Sequence, residues 1–372
     1  MSGSPTVPGM RGNKIVWAVA SIVLVLALTG VAVAVAERSG WHAASGRSAP
    51  SSAPASGAAG AATPPPGENI TGPLDLLLIG VDTRVNIPDW QPHADALMLL
   101  HVDRGLRSGV LYSLPRDLRV DIPPFPKSGF PGGRYKITEA MSYGARVPGS
   151  KRADVRQGYE LLTRTVSAYT GIRTFQAGAI LTFDGLSRLT DALGGVTIRI
   201  DQKVVSMHRQ PDGRARTLKP GGGGYLGPQM VYLPGVRTLV GWQAIDYARQ
   251  RYTAGGDYSR QRHQRQIVKA LLTEARDQGL ATDQAKLTAV VQALGDTLVY
   301  LGGDTPLAYA YALRNLTPAN LTLVGLPGAS LISGGRYLGE QLKPEGKAFL
   351  DAVANGDPAD FLRTHPTMIN KS

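Results

Sequence analysis

Arg249 to Arg265 reads RQRYTAGGDYSRQRHQR, five arginines and one histidine around a single acid, Asp257. Arginine rather than lysine dominates, and its planar fork of donors fits two oxygens of a phosphate while its charge never titrates away. Arg260, near the start of a helix, opposes the helix dipole unless an anion binds beside it. Further charges stand where apolar runs begin or end: Asp82 and Arg84 in GVDTR, His93 and Asp95 in HAD, Arg116 and Asp117 in LPRD. Taken singly, such residues also serve to end strands and solvate a rim. Taken together they are the set that phosphoryl transfer requires, with carboxylates holding a divalent cation on phosphate oxygens and arginines positioning the rest. Mg2+ suits these oxygen donors better than zinc. The chain has 0 cysteines, which excludes thiol catalysis, disulfides and zinc–thiolate sites, and its six histidines form no H-x-x-x-H pair. Neither a Walker P-loop nor a G-x-S-x-G elbow occurs.

These charges converge only if the apolar runs are neighbours. Leu74 to Val81, Ala96 to Val102 and Val110 to Leu114 are short, apolar and bounded by Asp, Gly or Pro, as buried strands are. Periodicity near 3.6 predicts helices over 153–169, 185–193, 242–249, 258–278, 284–301 and 345–354, with strands at 177–183, 196–200 and 321–326. Strands come first and then alternate with helices, which predicts an α/β fold: a mixed central sheet with helices on both faces. Ligands in such folds commonly bind at strand ends. Pro211 to Pro234, with Gly221 to Gly224 in a row, lacks periodicity and reads as a flexible loop, since a phosphate-cradling glycine loop needs a strand before it and a helix after it.

Residues 15–36 carry no charge over 22 positions, about 33 Å of helix, enough to cross a bilayer core. Arg11 and Lys14 precede this run, so the positive-inside rule predicts a cytoplasmic tail at 1–14, a transmembrane helix at 15–36 and an extracytoplasmic body. A cleaved signal peptide is the competing reading, because Ala34-Val35-Ala36 resembles a cleavage site. The Ala/Ser/Pro/Gly-rich segment 37–72 reads as a disordered tether, 73–356 as the catalytic body and 357–372 as a C-terminal tail. The formal net charge of +12 favours a polyanionic partner, and export makes nucleic acid the wrong one.

The ordered set LLLIGVDTR (76–84), HADALMLLHVD (93–103), SLPRDLRVDIP (113–123), KITEAMSYG (136–144), FDGLSRLTDALGGV (183–196) and GWQAIDYARQRYTAGGDYSRQRHQRQIVKALL (241–272) resembles the LytR-CpsA-Psr family of bacterial cell-envelope proteins. That resemblance implies a membrane-anchored ligase moving a glycopolymer, wall teichoic acid or another, from undecaprenyl pyrophosphate onto peptidoglycan through a phosphodiester. It implies Asp82 and Asp95 as Mg2+ ligands. Arg84, Arg116, Arg249, Arg251 and Arg260 match the arginines that hold the pyrophosphate, with Gln264 as polar neighbour, Asp257 as a further carboxylate and Lys136 close by. Many members have arginine at the positions of His93 and His263, so two fixed charges become titratable here. Activity is then expected to rise as pH falls through the histidine range. Asp257 or Asp117 is the expected base. The lipid needs an apolar groove, for which 161–169, 183–193 and 268–272 are candidates. Two other functions stay open: a polyprenyl pyrophosphatase that uses the same site with water, and a non-catalytic binder or regulator of anionic polymers that would use the basic body as an electrostatic surface and need neither Mg2+ nor any particular Asp.

Overall fold

The computed structural model describes residues 67–82, 91–280 and 283–370. The expected cytoplasmic tail, the transmembrane helix at 15–36, most of the tether and Arg84 lie outside the described residues. Among the described residues no helix is long and apolar enough to cross a membrane.

Six strands form the central sheet: β1 (Leu74–Asp82), β2 (His93–Val102), β3 (Gly109–Leu114), β4 (Ala177–Thr182), β5 (Leu298–Gly302) and β6 (Leu321–Val324). Their order is β5-β4-β1-β2-β3-β6. The sheet is mixed: β1 runs parallel to β4 and antiparallel to β2, and β3 runs antiparallel to β2 and parallel to β6. Both faces are buried, so the strand period of two appears as two apolar sets rather than as an apolar and a polar one. Leu76, Leu78, Met98 and Leu100 enter one core with the helices Phe183–Ala192, Gly241–Arg249 and Gly256–Asp277. Leu77, Ile79, Leu97 and Leu99 enter the other with Ile137–Ala145, Val155–Thr170 and Pro344–Asn355. The α/β architecture with helices on both faces is therefore as expected.

Local chemistry sets the element ends. The Asp154 carboxylate accepts from the Gln157 backbone N–H to open the helix Val155–Thr170, and Gly171 closes it at φ 78°. That helix crosses Ile137–Ala145 where two glycines face each other. A Cβ on Gly144 would stand 2.7 Å from Leu161 Cβ and 3.0 Å from Gly158 Cα.

Four expectations are corrected. The helix expected over 284–301 stops at Leu294, because Gly295 takes φ 51°, and residues 298–302 become β5 on the edge beside β4. The segment 211–234 is folded: Thr217–Leu218 pairs with Tyr225–Leu226, and Val231–Tyr232 pairs with Val204–Val205. The Arg216 guanidinium holds that segment by donating to Met207 O at 2.8 Å and Tyr225 O at 3.0 Å. Residues 357–370 form no free tail, since Pro358–Thr364 is helical, Ile369 bridges to Val324, and Asn370 accepts from Arg265 at 2.6 Å. The body also begins before 73, for Ile70 packs on the core.

Gly144→Val should destabilise the body by about 1–3 kcal/mol through overpacking at the helix crossing. Urea unfolding followed by circular dichroism reads this, and an unchanged midpoint would show that the crossing can relax.

Candidate active site

A β-bulge aims the first carboxylate. Gly80 opposes Ala96 while Val81 opposes Ala94, which leaves Asp95 as the extra residue of β2 at the end of the sheet. Beyond β3 the chain turns through Pro115-Arg116-Asp117, and backbone bonds from Ile137 N to Leu118 O (2.8 Å) and Thr138 N to Arg116 O (3.1 Å) pin that turn. Arg116 Nη1 donates to Asp95 Oδ1. Asp117, one residue on, faces Lys136 Nζ at 3.2 Å and Arg116 Nε at 4.0 Å.

The arginine-rich stretch arrives from the opposite side. Arg249 ends one helix and Arg260 is the fifth residue of the next. The expected conflict of Arg260 with the helix dipole is met inside the chain: Asp257, in the first turn, takes Arg260 Nη2 on Oδ1 at 2.8 Å and Gln261 Nε2 on Oδ2 at 2.9 Å. Gln250 is buried and bridges to the neighbouring wall, accepting from Met207 N at 3.0 Å and donating to Asp246 Oδ1 at 2.8 Å.

These elements enclose a cleft of about 650 Å³ lined by His93, Asp95, Arg116, Arg249, Arg251 and Arg260. Phe183, Met207, His208, Gly223, Gly224, Tyr225, Gln250 and Tyr252 complete it. Four of the five expected arginines thus meet one of the two expected metal-binding carboxylates. For Arg116, burial works against the charge, but Asp95 foremost and then Asp117 and Asp257 outweigh it and raise the pKa. For Arg260, 5% exposed, burial dominates and lowers the pKa, Asp257 opposes, and Arg116 reinforces the lowering. Among the described residues, the Nε groups of Arg116 and Arg260 are both buried without a hydrogen-bond partner. Buried orphan donors on cations carry a desolvation cost that an anion in the cleft relieves.

A second cavity, narrow and apolar at about 90 Å³, opens between the sheet and the helices, among Leu78, Met98, Leu181, Leu186, Val268 and Leu271. Phe183 and Arg249 line both cavities, and the Arg249 guanidinium lies 4.7 Å from the Phe183 ring centre. Of the three candidate grooves, 183–193 and 268–272 contribute here. Residues 161–169 do not: Leu161, Leu162 and Val166 pack in the core on the other face of the sheet.

A sequence profile of the LytR_cpsA_psr family matches residues 39–350. The chain belongs to the LytR-CpsA-Psr family. Biofilm regulatory protein A of Streptococcus mutans is 25% identical over 273 residues, 71% of this chain and 59% of that protein. The cell wall biosynthesis protein LcpA of Corynebacterium glutamicum is 26% identical over 297 residues, 73% of this chain and 53% of its own. A polyisoprenyl-teichoic acid–peptidoglycan teichoic acid transferase, TagU of Enterococcus faecalis, is 27% identical over 59% of each chain. The chain spans a little over half the length of these curated relatives. Among solved structures, TagT bound to LI-WTA superposes with a TM-score of 0.53 at 20% identity, over 76% of this chain and 90% of TagT. Protein gbs0355 of Streptococcus agalactiae superposes at 0.57 and 21% identity, over 76% and 87%. At these identities the superpositions show the shared fold.

Within this LytR-CpsA-Psr chain several expected site residues stand elsewhere. Gln264 is buried and lines the apolar cavity, donating to Ala248 O at 3.4 Å, so it is not a polar neighbour in the cleft. Asp82 ends β1 with its Cα opposite His93, and its side chain, like all of Arg84, lies outside the described residues. His263 does not reach the cleft. It is 0% exposed, stacks on Tyr247 at 4.2 Å, and its Nε2 stands 3.6 Å from Asp201 Oδ1, beyond hydrogen-bond length. Burial lowers its pKa despite Asp201, so it carries no charge to a phosphate at neutral pH. Of the two histidines expected at the phosphate, only His93 lines the cleft, with Nδ1 at 2.9 Å from Gln91 O. Sequence reading missed His208 and the glycine wall, 223–225. The glycine run was the available signal, but its neighbours are two-residue ladders too short to show a period.

The lowered His263 pKa fixes a sign for stability. The unfolded chain binds the proton more tightly, so stability falls as pH drops through about 6.5, the ordinary histidine value, towards the folded one. His263→Phe keeps the stacking on Tyr247 and should lose less stability than wild type between pH 7.5 and 5.5, read from urea midpoints. Parallel losses in the two proteins would contradict this.

Proposed function

We propose that this protein transfers a glycopolymer from an undecaprenyl-pyrophosphate carrier to a hydroxyl of peptidoglycan, forming a phosphodiester. The observation that carries this reading is the junction at Phe183 and Arg249, where a cleft of arginines meets an apolar cavity between sheet and helices. A pyrophosphate bound to a lipid tail has that same division of polarity. The relative named as a teichoic acid transferase and the structural neighbour bound to LI-WTA support a transferase within the family.

In this reading Arg116, Arg249, Arg251 and Arg260 clamp the pyrophosphate oxygens, and the apolar cavity takes the first carbons of the lipid. The acceptor hydroxyl oxygen attacks the phosphorus bearing the glycan. A new P–O bond forms, the P–O bond to the bridging oxygen breaks, polyprenyl phosphate leaves, and the hydroxyl proton passes to a carboxylate. Asp257 fits the role of base better than Asp117, because Asp257 pairs with cleft-lining Arg260 while Asp117 faces Lys136. Two hard oxygen donors at adjacent strand ends, Asp82 and Asp95, suit Mg2+, which commonly takes one or two carboxylates and fills its shell with phosphate oxygens and water. When bound there, the ion would neutralise charge developing on the phosphates. The anchor at 15–36 would keep the body within reach of such a carrier.

The full-length chain, given a synthetic polyprenyl-pyrophosphate glycan, should place glycan on a peptidoglycan acceptor with Mg2+ and not with EDTA. Phosphate release without transfer would establish a pyrophosphatase, and tight binding without turnover a binder. Arg116→Ala should lower kcat by about 10²-fold or more, the cost of removing one preorganised cation from developing phosphate charge. Val268→Trp, which fills the apolar cavity, should raise the KM for a long-chain donor and leave that for a short-chain donor nearly unchanged. Equal effects on both donors would place the lipid elsewhere.

A further inference from the structure

Arg265 is 2% exposed, yet among the described residues its guanidinium bonds only to neutral partners: Asn370 Oδ1 at 2.6 and 3.2 Å and Ser113 Oγ at 2.9 Å. Burial pulls its pKa down to about 9, and the one charge that acts on it further is another cation, Arg262. A buried cation without a counter-ion is costly, and a protein normally pairs it or removes it. Those three bonds use three of the five N–H donors of the fork.

Arg265 is not sealed in the core. It lines a cavity of about 540 Å³, separate from the arginine cleft, together with Tyr258, Gln261, Arg262, Lys343 and Glu345. Arg262 is matched by Asp201 at 2.6 Å. Beyond that pair the lining holds two fixed cations, Arg265 and Lys343, and His365, against one carboxylate, Glu345. One positive charge is left over, which matches a carboxylate better than a dianionic phosphate.

The cavity is joined to the proposed reaction centre along one helix face. Asp257, Gln261 and Arg265 stand four residues apart, so they line one side of the helix and span about 12 Å. Gln261 belongs to the cavity and donates to Asp257 Oδ2 at 2.9 Å, while the other oxygen of Asp257 holds Arg260 of the cleft. Asp257 is the hinge between a place for pyrophosphate and a place for something else.

We propose that the Arg265 cavity binds a carboxylate of the acceptor, so that an acidic peptide on the acceptor sugar is held about two helical turns from the hydroxyl presented to Asp257. Naming the ligand an acceptor rests on the transferase reading; a carboxylate site at Arg265 does not. The test is calorimetric binding to the full-length chain, with no pyrophosphate donor present, of a muropeptide with free stem-peptide carboxylates and of its fully amidated counterpart. The acidic probe should bind at least about tenfold more tightly, as expected for losing charge-assisted hydrogen bonds. Arg265→Gln should abolish the difference. Because that change could also unfold the chain, Asn370→Asp is the second variant. It sets a carboxylate against Arg265, and should raise the melting temperature while weakening the acidic probe about tenfold, since the site then holds its own counter-ion. Equal binding of the two probes, full affinity in Asn370→Asp, or inorganic phosphate displacing the acidic probe more effectively than acetate does would each overturn the proposal. If the probe binds as expected and no glycan is transferred in the separate turnover assay, the transferase reading fails and the carboxylate site stands.

Discussion

Gathering four arginines into one half-buried cleft is the constraint on which the remaining architecture depends. Like charges at short range in a medium of reduced dielectric repel strongly, and each also loses hydration. The chain answers with carboxylates placed at the same strand and helix ends. Asp95 takes Arg116 and Asp257 takes Arg260, and each pair joins segments that are distant in sequence or orders a helix start. The two cations respond differently. Arg116 has its charge reinforced by surrounding acids, whereas Arg260 is held against burial with a lowered pKa. Such a cleft is preorganised for an anion, because the cost of assembling the cations is met in folding.

The sheet supplies the geometry. With both faces covered by helices, the strand ends are where charged side chains reach solvent, and the bulge in β2 turns Asp95 to that end. The helix Gly256–Asp277 then does three things with three faces. Arg260 faces the polar cleft, Val268 and Leu271 face the apolar cavity, and Gln261 and Arg265 face the cavity closed by the C-terminal segment. A 3.6-residue period distributes these roles without interference, and Asp257 sits at the boundary between the first and the last.

Much of this was legible in the chain. Short apolar runs bounded by Gly, Pro and Asp gave β1, β2 and β3, since a strand buried on both faces has no polar alternation to confuse the reading. Arginine spacing around Asp257 and the LPRD turn marked the cleft. What misled was local pattern without its context. A helical period carried 284–301 across Gly295, although residues 298–302 pair with β4. Gln264 and His263 have the same polar character as their neighbours in the motif, yet helix phase turns one towards the apolar cavity and packs the other on Tyr247. Residues 357–370 looked like a tail because composition does not report that Asn370 would meet Arg265.

The sequence by itself determined the side chains available: a cluster of arginines, carboxylates where strands and helices begin or end, a chain without thiols, and strands and helices in α/β order. Those follow from residue type and local period, which need no long-range contact. The tertiary structure decided which of these residues share a space. Arg116 meets Asp95 across 21 positions and Arg265 meets Ser113 across 152. Such meetings depend on strand register, on a bulge one residue long and on helix phase, and a shift of a single residue in any of them would turn the same side chains to another face.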